Sequence, residues 1–175
     1  MQILVIPGTE LSREVRESIH VLCERAYGQD LRAGIAEFVD PMHVIGMIDD
    51  TIVSHALWIT RWLEANDGAP MRTAYVEAVA TDPGFQRRGY ASAVMRALIA
   101  EVKDFQLAAL CTSDDGQPLY TALGWEAWRG PLFVRQNTAR SSTPGEIVMV
   151  HRLPTSPPLD LDSSLSVEWR VGELW

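Results

Sequence analysis

AYVEAVATDPGFQRRGYASAVMRALIAEV, residues 74–102, decides how the rest of the chain is read. A strand over Thr73–Thr81 runs into the turn Asp82-Pro83-Gly84. A tight connection, Gln86-Arg87-Arg88-Gly89-Tyr90-Ala91, then opens a helix. Apolar residues at 91, 94, 95, 98, 99 and 102 give that helix the cleanest 3.6-residue period in the chain. A glycine-containing turn at a helix N-terminus presents free backbone N–H groups to phosphate oxygens. Alternation along the strand puts Tyr75, Glu77, Val79 and Thr81 on one face. A carboxylate in mid-strand must either pair with a base or face a wet cleft, because an unpaired buried charge is costly. Partial desolvation would make Glu77 a better base near neutral pH.

Bulk properties narrow the classes. The 175 residues are 47% hydrophobic, and one domain over 1–175 is the natural expectation. A formal net charge of −8 argues against nucleic acid and favours cationic ligands. The two cysteines, Cys23 and Cys111, read as buried free thiols, and no Cys/His spacing suggests a metal. His20, His43, His55 and His151 are scattered and read as structural. MQILVIPGTE lacks the features of a signal peptide, and no apolar run has the length of a membrane span. The cytoplasm is the expected compartment.

Before the central stretch, Gln2–Ile6 is a first strand, and Ser12 caps a helix that stops at Gly28. A short helix is expected over Leu31–Val39. Asp30, Glu37 and Asp40 crowd this segment as a solvated face or as one wall of a cation site. Val44–Ile48 and Ile52–Ile59 form a hairpin through Asp49-Asp50-Thr51. Trp62 reads as packing, with an aromatic lining a sugar site at a sheet edge as the alternative, in a segment that leads into a loop over 64–70. After it come a strand over Leu107–Cys111, a helix over Gln117–Leu123 bearing Tyr120, and strand character over 125–128, 132–135 and 147–153. Arg140–Gly145 reads as loop. Leu165, Val167 and Trp169 alternate, which suggests a last strand.

The strand, the Gln86–Ala91 hexapeptide and the helix resemble the Q/R-x-x-G-x-G/A acetyl-CoA signature of the GNAT N-acetyltransferases. Leu119-Tyr120-Thr121-Ala122-Leu123-Gly124-Trp125 is similar to their second cofactor motif. The resemblance implies an α/β (α+β) fold: a central mixed, mostly antiparallel twisted sheet flanked by helices, with an extra C-terminal strand. A narrower likeness lies in Tyr75–Ala80, Met42-His43 and the tail Glu168–Trp175, which resemble the aminoglycoside 2'-N-acetyltransferases. It implies direct transfer from acetyl-CoA, as cosubstrate and without a metal, to the 2'-amine of an aminoglycoside. Glu77 would be the base, through water, and Tyr120 the acid for the departing thiolate. Backbone groups of Val79 and Thr81 would hold the pantetheine arm, and Gln86, Arg87, Arg88, Gly89, Tyr90 and Ala91 the pyrophosphate.

For the acceptor, the resemblance points to the carboxylate of Trp175, with Asp30, Glu37, Glu77, Cys111 and Glu146 as further lining. Three departures thin the acidic lining. Gly34 stands where relatives carry Asp, Cys111 where they carry Ser, and Gly145 where they carry Asp. A kasugamycin-like acceptor, with fewer cationic groups, is therefore favoured over gentamicin-like or tobramycin-like ones. The alternatives are acetylation of a polyamine, peptide N-terminus or lysine, and a non-catalytic acyl-CoA-binding module. Superfamily members often dimerise, and an exposed final strand would allow a homodimer.

Overall fold

The computed structural model describes residues 1–137, 139–172 and 174–175. In chain order its elements are β1 (Gln2–Pro7), α1 (Arg13–Tyr27), α2 (Arg32–Ala36), β2 (Met42–Ile48), β3 (Thr51–Ala65), β4 (Met71–Thr81), α3 (Tyr90–Glu101), β5 (Leu107–Thr112), α4 (Gln117–Ala122), β6 (Glu126–Ala127), β7 (Leu132–Gln136), β8 (Ala139–Ser142), β9 (Ile147–Arg152) and β10 (Leu165–Glu168). The backbone groups into two compact units, Met1–Ile59 with Val76–Glu101, and Thr60–Tyr75 with Val102–Trp175. The long strands β3 and β4 each contribute to both.

In the first unit, β1, β2 and the start of β3 form an antiparallel meander, with Gln2 opposite Met47 and Met42 opposite Trp58. The β2–β3 turn places Asp49 and Asp50 at φ of 44° and 62°. Two positive φ values in a two-residue loop match the right-handed twist of the strands, so the expected hairpin forms. Helix α1 starts where Ser12 Oγ accepts the Val15 N–H and stops at Gly28, which is left-handed. It buries Ile19, Leu22 and Cys23. Helix α3 buries Val94, Met95 and Leu98, as its period predicts. Helix α2 is shorter than the expected Leu31–Val39. Its last turn tightens at Glu37, and the backbone turns left-handed at Asp40, ahead of Pro41.

In the second unit the hydrogen-bonded order is β6-β9-β5-β4-β3-β10-β7-β8. The pairs β4–β5 and β10–β7 are parallel; β5–β9, β6–β9, β10–β3 and β7–β8 are antiparallel. The expected mixed, mostly antiparallel sheet with flanking helices is present.

Five further expectations change. Strand β3 runs to Ala65 rather than ending near Ile59, because Leu63 to Ala65 pair with β10. Trp62, expected to pack, is exposed. Arg140, Ser141 and Ser142 lie in β8 rather than in a loop, since β7 supplies the partner that their polar sequence does not advertise. Strand β10 is bonded on both sides, by β3 and β7, so it offers no exposed edge to a second copy. The strict alternation of Tyr75, Glu77, Val79 and Thr81 breaks at Ala78, whose φ is 49°. A left-handed residue inside a strand breaks the pleat in the manner of a bulge, and side chains beyond it no longer keep period two.

Candidate active site

The first unit holds Glu77 and the Gln86–Ala91 connection. Glu77 is half-buried, immediately before the bulge. The two carbonyls after it are taken by side chains: His55 Nδ1 lies 2.9 Å from Ala78 O, and the Tyr27 hydroxyl donates to Val79 O at 2.8 Å. His43 Nδ1 lies 2.9 Å from His55 Nε2. Burial pushes His55 down to about 3 and His43 down to about 4, so both rings are neutral at physiological pH. Thr81 Oγ1 pairs with Ser54 Oγ at 2.9 Å, and Thr81 O accepts from Gln86 Nε2 at 3.3 Å. That last bond turns the Gln86 side chain back along the strand.

Asp82 then closes the turn. Its carboxylate accepts the Gly84 N–H at 2.8 Å and meets Arg25 at 2.6 Å. A cleft of about 810 Å³ beside α1 reaches Asp82 but none of the predicted site residues, and its walls mix arginines with carboxylates. Left-handed backbone at Arg87 and Gly89 winds the chain into α3, whose ladder begins with the Ala93 N–H donating to Gly89 O. The amides just before Ala93 therefore have no acceptor within the helix. With the positive end of the helix dipole and the exposed Arg87, they fit a pyrophosphate. The Arg88 guanidinium lies 5.6 Å from the Phe85 ring.

Asp30 and Glu37 are exposed. Arg32 lies 3.2 Å from Asp30 and also bridges Glu17 and Glu24. The negative charge of Asp30 thus already has a cation of the chain beside it.

The second unit holds Tyr120, Cys111, Glu146 and Trp175. Gly116, just ahead of α4, lies so close to β5 that a Cβ there would crowd Thr112 Oγ1 and force that side chain to move. One turn later Tyr120 is buried with its ring edge-on to Trp125, 6.0 Å between centroids. Burial pushes its phenol up to about 12, which keeps the proton on at neutral pH. Cys111 is half-buried rather than buried, and its thiol donates to Glu146 Oε2 at 3.3 Å.

Trp175 is 4% exposed, and its indole N–H donates to Thr143 Oγ1 at 2.7 Å. The Thr143–Glu146 turn therefore meets both Trp175 and Cys111. Within that turn Gly145 has φ of 92°, which an aspartate would occupy only with strain. The tail is fixed by Arg61, itself 2% exposed. Arg61 Nη1 donates to Leu174 O at 2.7 Å, Nη2 donates to Glu168 O, and Nε lies 3.5 Å from Glu168 Oε1. Arg61 and Arg170 both approach the Tyr75 ring, at 5.0 and 5.7 Å. Glu173 of the tail motif lies outside the described residues.

Each unit thus assembles its share of the predicted residues. Among the residues that support them, Tyr27, Arg61 and Thr143 carry no signal in the sequence, whereas His43 and His55 read only as structural and Met42-His43 carries part of the resemblance. His55 follows Ser54 in an alternating run and looks like any half-polar strand residue. Arg61 sits between tryptophans and reads as surface charge. Among the described residues no His, Cys, Asp and Glu cluster could hold a metal, and no helix is long and apolar enough to cross a membrane.

Residues 12–128 match the family described as the acetyltransferase (GNAT) domain. The chain is 31% identical to an aminoglycoside 2'-N-acetyltransferase of Mycolicibacterium fortuitum, over 98% of this chain and 90% of that one. Among solved structures it is similar to the GNAT family N-acetyltransferase YhbS of Escherichia coli in complex with CoA. There the TM-score is 0.65 at 15% identity, over 97% of this chain and 90% of that one. It is also similar to Escherichia coli ElaA, with a TM-score of 0.64 at 12% identity, over 86% of this chain and 99% of that one. The chain belongs to the GNAT acetyltransferase family.

Proposed function

We propose that this acetyltransferase moves the acetyl group of acetyl-CoA to the 2'-amine of an aminoglycoside in the cytoplasm, inactivating the antibiotic. The observation that carries the reading is the 31% identity to an aminoglycoside 2'-N-acetyltransferase along nearly the whole chain. Docking of the tail through Trp175, Thr143 and Arg61 supports it, because that tail is part of the likeness.

An ammonium must lose a proton before its nitrogen can attack a thioester. Glu77 accepts that first proton through water, the neutral amine forms the C–N bond, the C–S bond breaks as Tyr120 gives its proton to the leaving sulfur, and the second proton of the nitrogen leaves to water, from which Tyr120 is reprotonated. The raised pKa of Tyr120 suits a donor that must stay protonated until the sulfur leaves. The α3 amides and Arg87 bind the pyrophosphate, and backbone groups at Val79 and Thr81 bind the pantetheine arm. Val79 O already accepts from Tyr27, so one of its lone pairs is committed.

Glu146, Cys111 and Trp175 line the acceptor side. With Gly34 and Gly145 in place of acids, few carboxylates remain there, which suits kasugamycin better than the more cationic gentamicin or tobramycin. An acetyl-CoA turnover screen over aminoglycosides, followed by mass and NMR location of the acetyl group, tests this. The expected product is 2'-N-acetylated. Acetylation at another position, or turnover only with peptides or polyamines, removes the assignment. Glu77→Gln should lower kcat by about 10²–10⁴ while acetyl-CoA affinity is kept.

A further inference from the structure

We propose that His55, oriented by His43 and joined by Tyr27, is a positioning device that holds the bulge at Ala78 and so aims the Glu77 carboxylate. The inference rests on the reading of Glu77 as the base. A carbonyl only accepts, so His55 Nδ1, 2.9 Å from Ala78 O, carries the ring proton. His55 is neutral, hence its Nε2 is a lone pair. His43 Nδ1 faces that lone pair at 2.9 Å and must carry a proton too. Two buried imidazoles thus share the Nδ1–H tautomer in a line that ends on the bulge.

The bulge needs such a hold. Alanine at φ of 49° is disfavoured by its Cβ, and a bulge withdraws backbone groups from the ladder. Here β3 supplies a ring nitrogen for the carbonyl of Ala78, and the last residue of α1 supplies a hydroxyl for the next carbonyl, of Val79. Strand β2 supplies His43 behind the first ring. Three elements therefore converge on the two residues that follow Glu77. Arg16 and His20 are the other basic groups felt by His43, and both oppose its protonation, which keeps the line neutral. A lysine ammonium, which only donates, would not supply this directionality. A neutral imidazole donates on one side while accepting on the other.

Long-range ¹⁵N–¹H correlation spectra of the whole protein read the tautomers, and both rings are expected as Nδ1–H at neutral pH. His55→Leu removes the donor. His55→Asn keeps an N–H near the Nδ1 position, whereas His55→Gln places it near Nε2. With the aminoglycoside that turns over best, His55→Leu should lower kcat about 10- to 100-fold, the scale of a small misplacement of a catalytic group. The KM for acetyl-CoA should change less than about threefold, since uniform binding is untouched. His55→Asn should recover most of kcat and His55→Gln should not, a contrast that survives even if the leucine variant does not fold. Tautomer spectra do not depend on Glu77. If Glu77→Gln keeps turnover, the base assignment falls while the spectra still decide the clamp. An Nε2–H proton on either ring, or equal rescue by glutamine and asparagine, overturns the proposal.

Discussion

In the first unit, the carbonyls of Ala78 and Val79 are held by a neutral imidazole and a phenol. In the second, carbonyls at Glu168 and Leu174 are held by the guanidinium of Arg61. In both regions a side chain donates to backbone acceptors. The histidine solution is directional, compact and titratable. The arginine solution is multidentate and permanently charged, with an aromatic face and a carboxylate beside it to offset its burial. A bulge next to a proposed base is held by groups that carry no charge, whereas a terminal segment that must be pulled onto the fold is held by one that always does. The comparison predicts that acid weakens the first region and leaves the second intact.

The largest expected effect follows from the histidines. A histidine whose folded pKa lies below its unfolded value binds more protons when unfolded, throughout the window between the two. Stability is then full above about 6.5 and falls as the pH drops toward about 4 for His43 and about 3 for His55. Each ring costs about 1.4 kcal/mol per pH unit in that window, so at pH 5 the pair costs about 4 kcal/mol relative to pH 7.5. Urea unfolding at the two pH values measures it. His55→Asn should remove one proton from the slope. A flat profile between pH 7.5 and 5 would break the comparison at its titratable side.

Arg61→Leu tests the other side. It leaves two carbonyls and part of the Glu168 carboxylate without their buried donor, for an expected loss of about 2–4 kcal/mol. Limited proteolysis should show cleavage within 168–175, and the acid slope should stay as in the wild type because arginine does not titrate. A tail that remains protected, or a changed slope, would mean that the two regions are not built on separate principles.

The sequence made the first region legible because its signals are local. Gly89, the α3 period and the strand before them lie within thirty residues and report on one another. What it hid was the bulge: period-two alternation is the default reading of Tyr75–Thr81, and no residue there demands positive φ, since Ala78 is not glycine. The clamp comes from α1 and β3, more than twenty residues away in sequence. In the second region almost nothing was local. Strand β8 is Ala-Arg-Ser-Ser, and β10 is placed by β3, about a hundred residues before it, and by β7, about thirty residues before it. Arg61 looks like surface charge until Glu168 and Leu174 come round to it. Tyr120 and the tail were found by resemblance, and long-range packing explains why they stand where they do.

The smallest expected effect sharpens the comparison within the acceptor side. Thr143 Oγ1 is the acceptor for the buried Trp175 indole N–H, and it opens the turn that leads to Glu146. Thr143→Val keeps the shape and removes the acceptor, which should cost about 1–2 kcal/mol through an unpaired buried donor. Thr143→Ser keeps the hydroxyl and should recover the loss. If the turn sets the acceptor wall, valine raises the KM for the aminoglycoside a few-fold with kcat nearly unchanged, the pattern of lost uniform binding. The KM for acetyl-CoA should not move. A change in stability without any change in the aminoglycoside KM would confine Thr143 to holding the tail, and the Cys111–Glu146 pair would then have to shape the acceptor side without it.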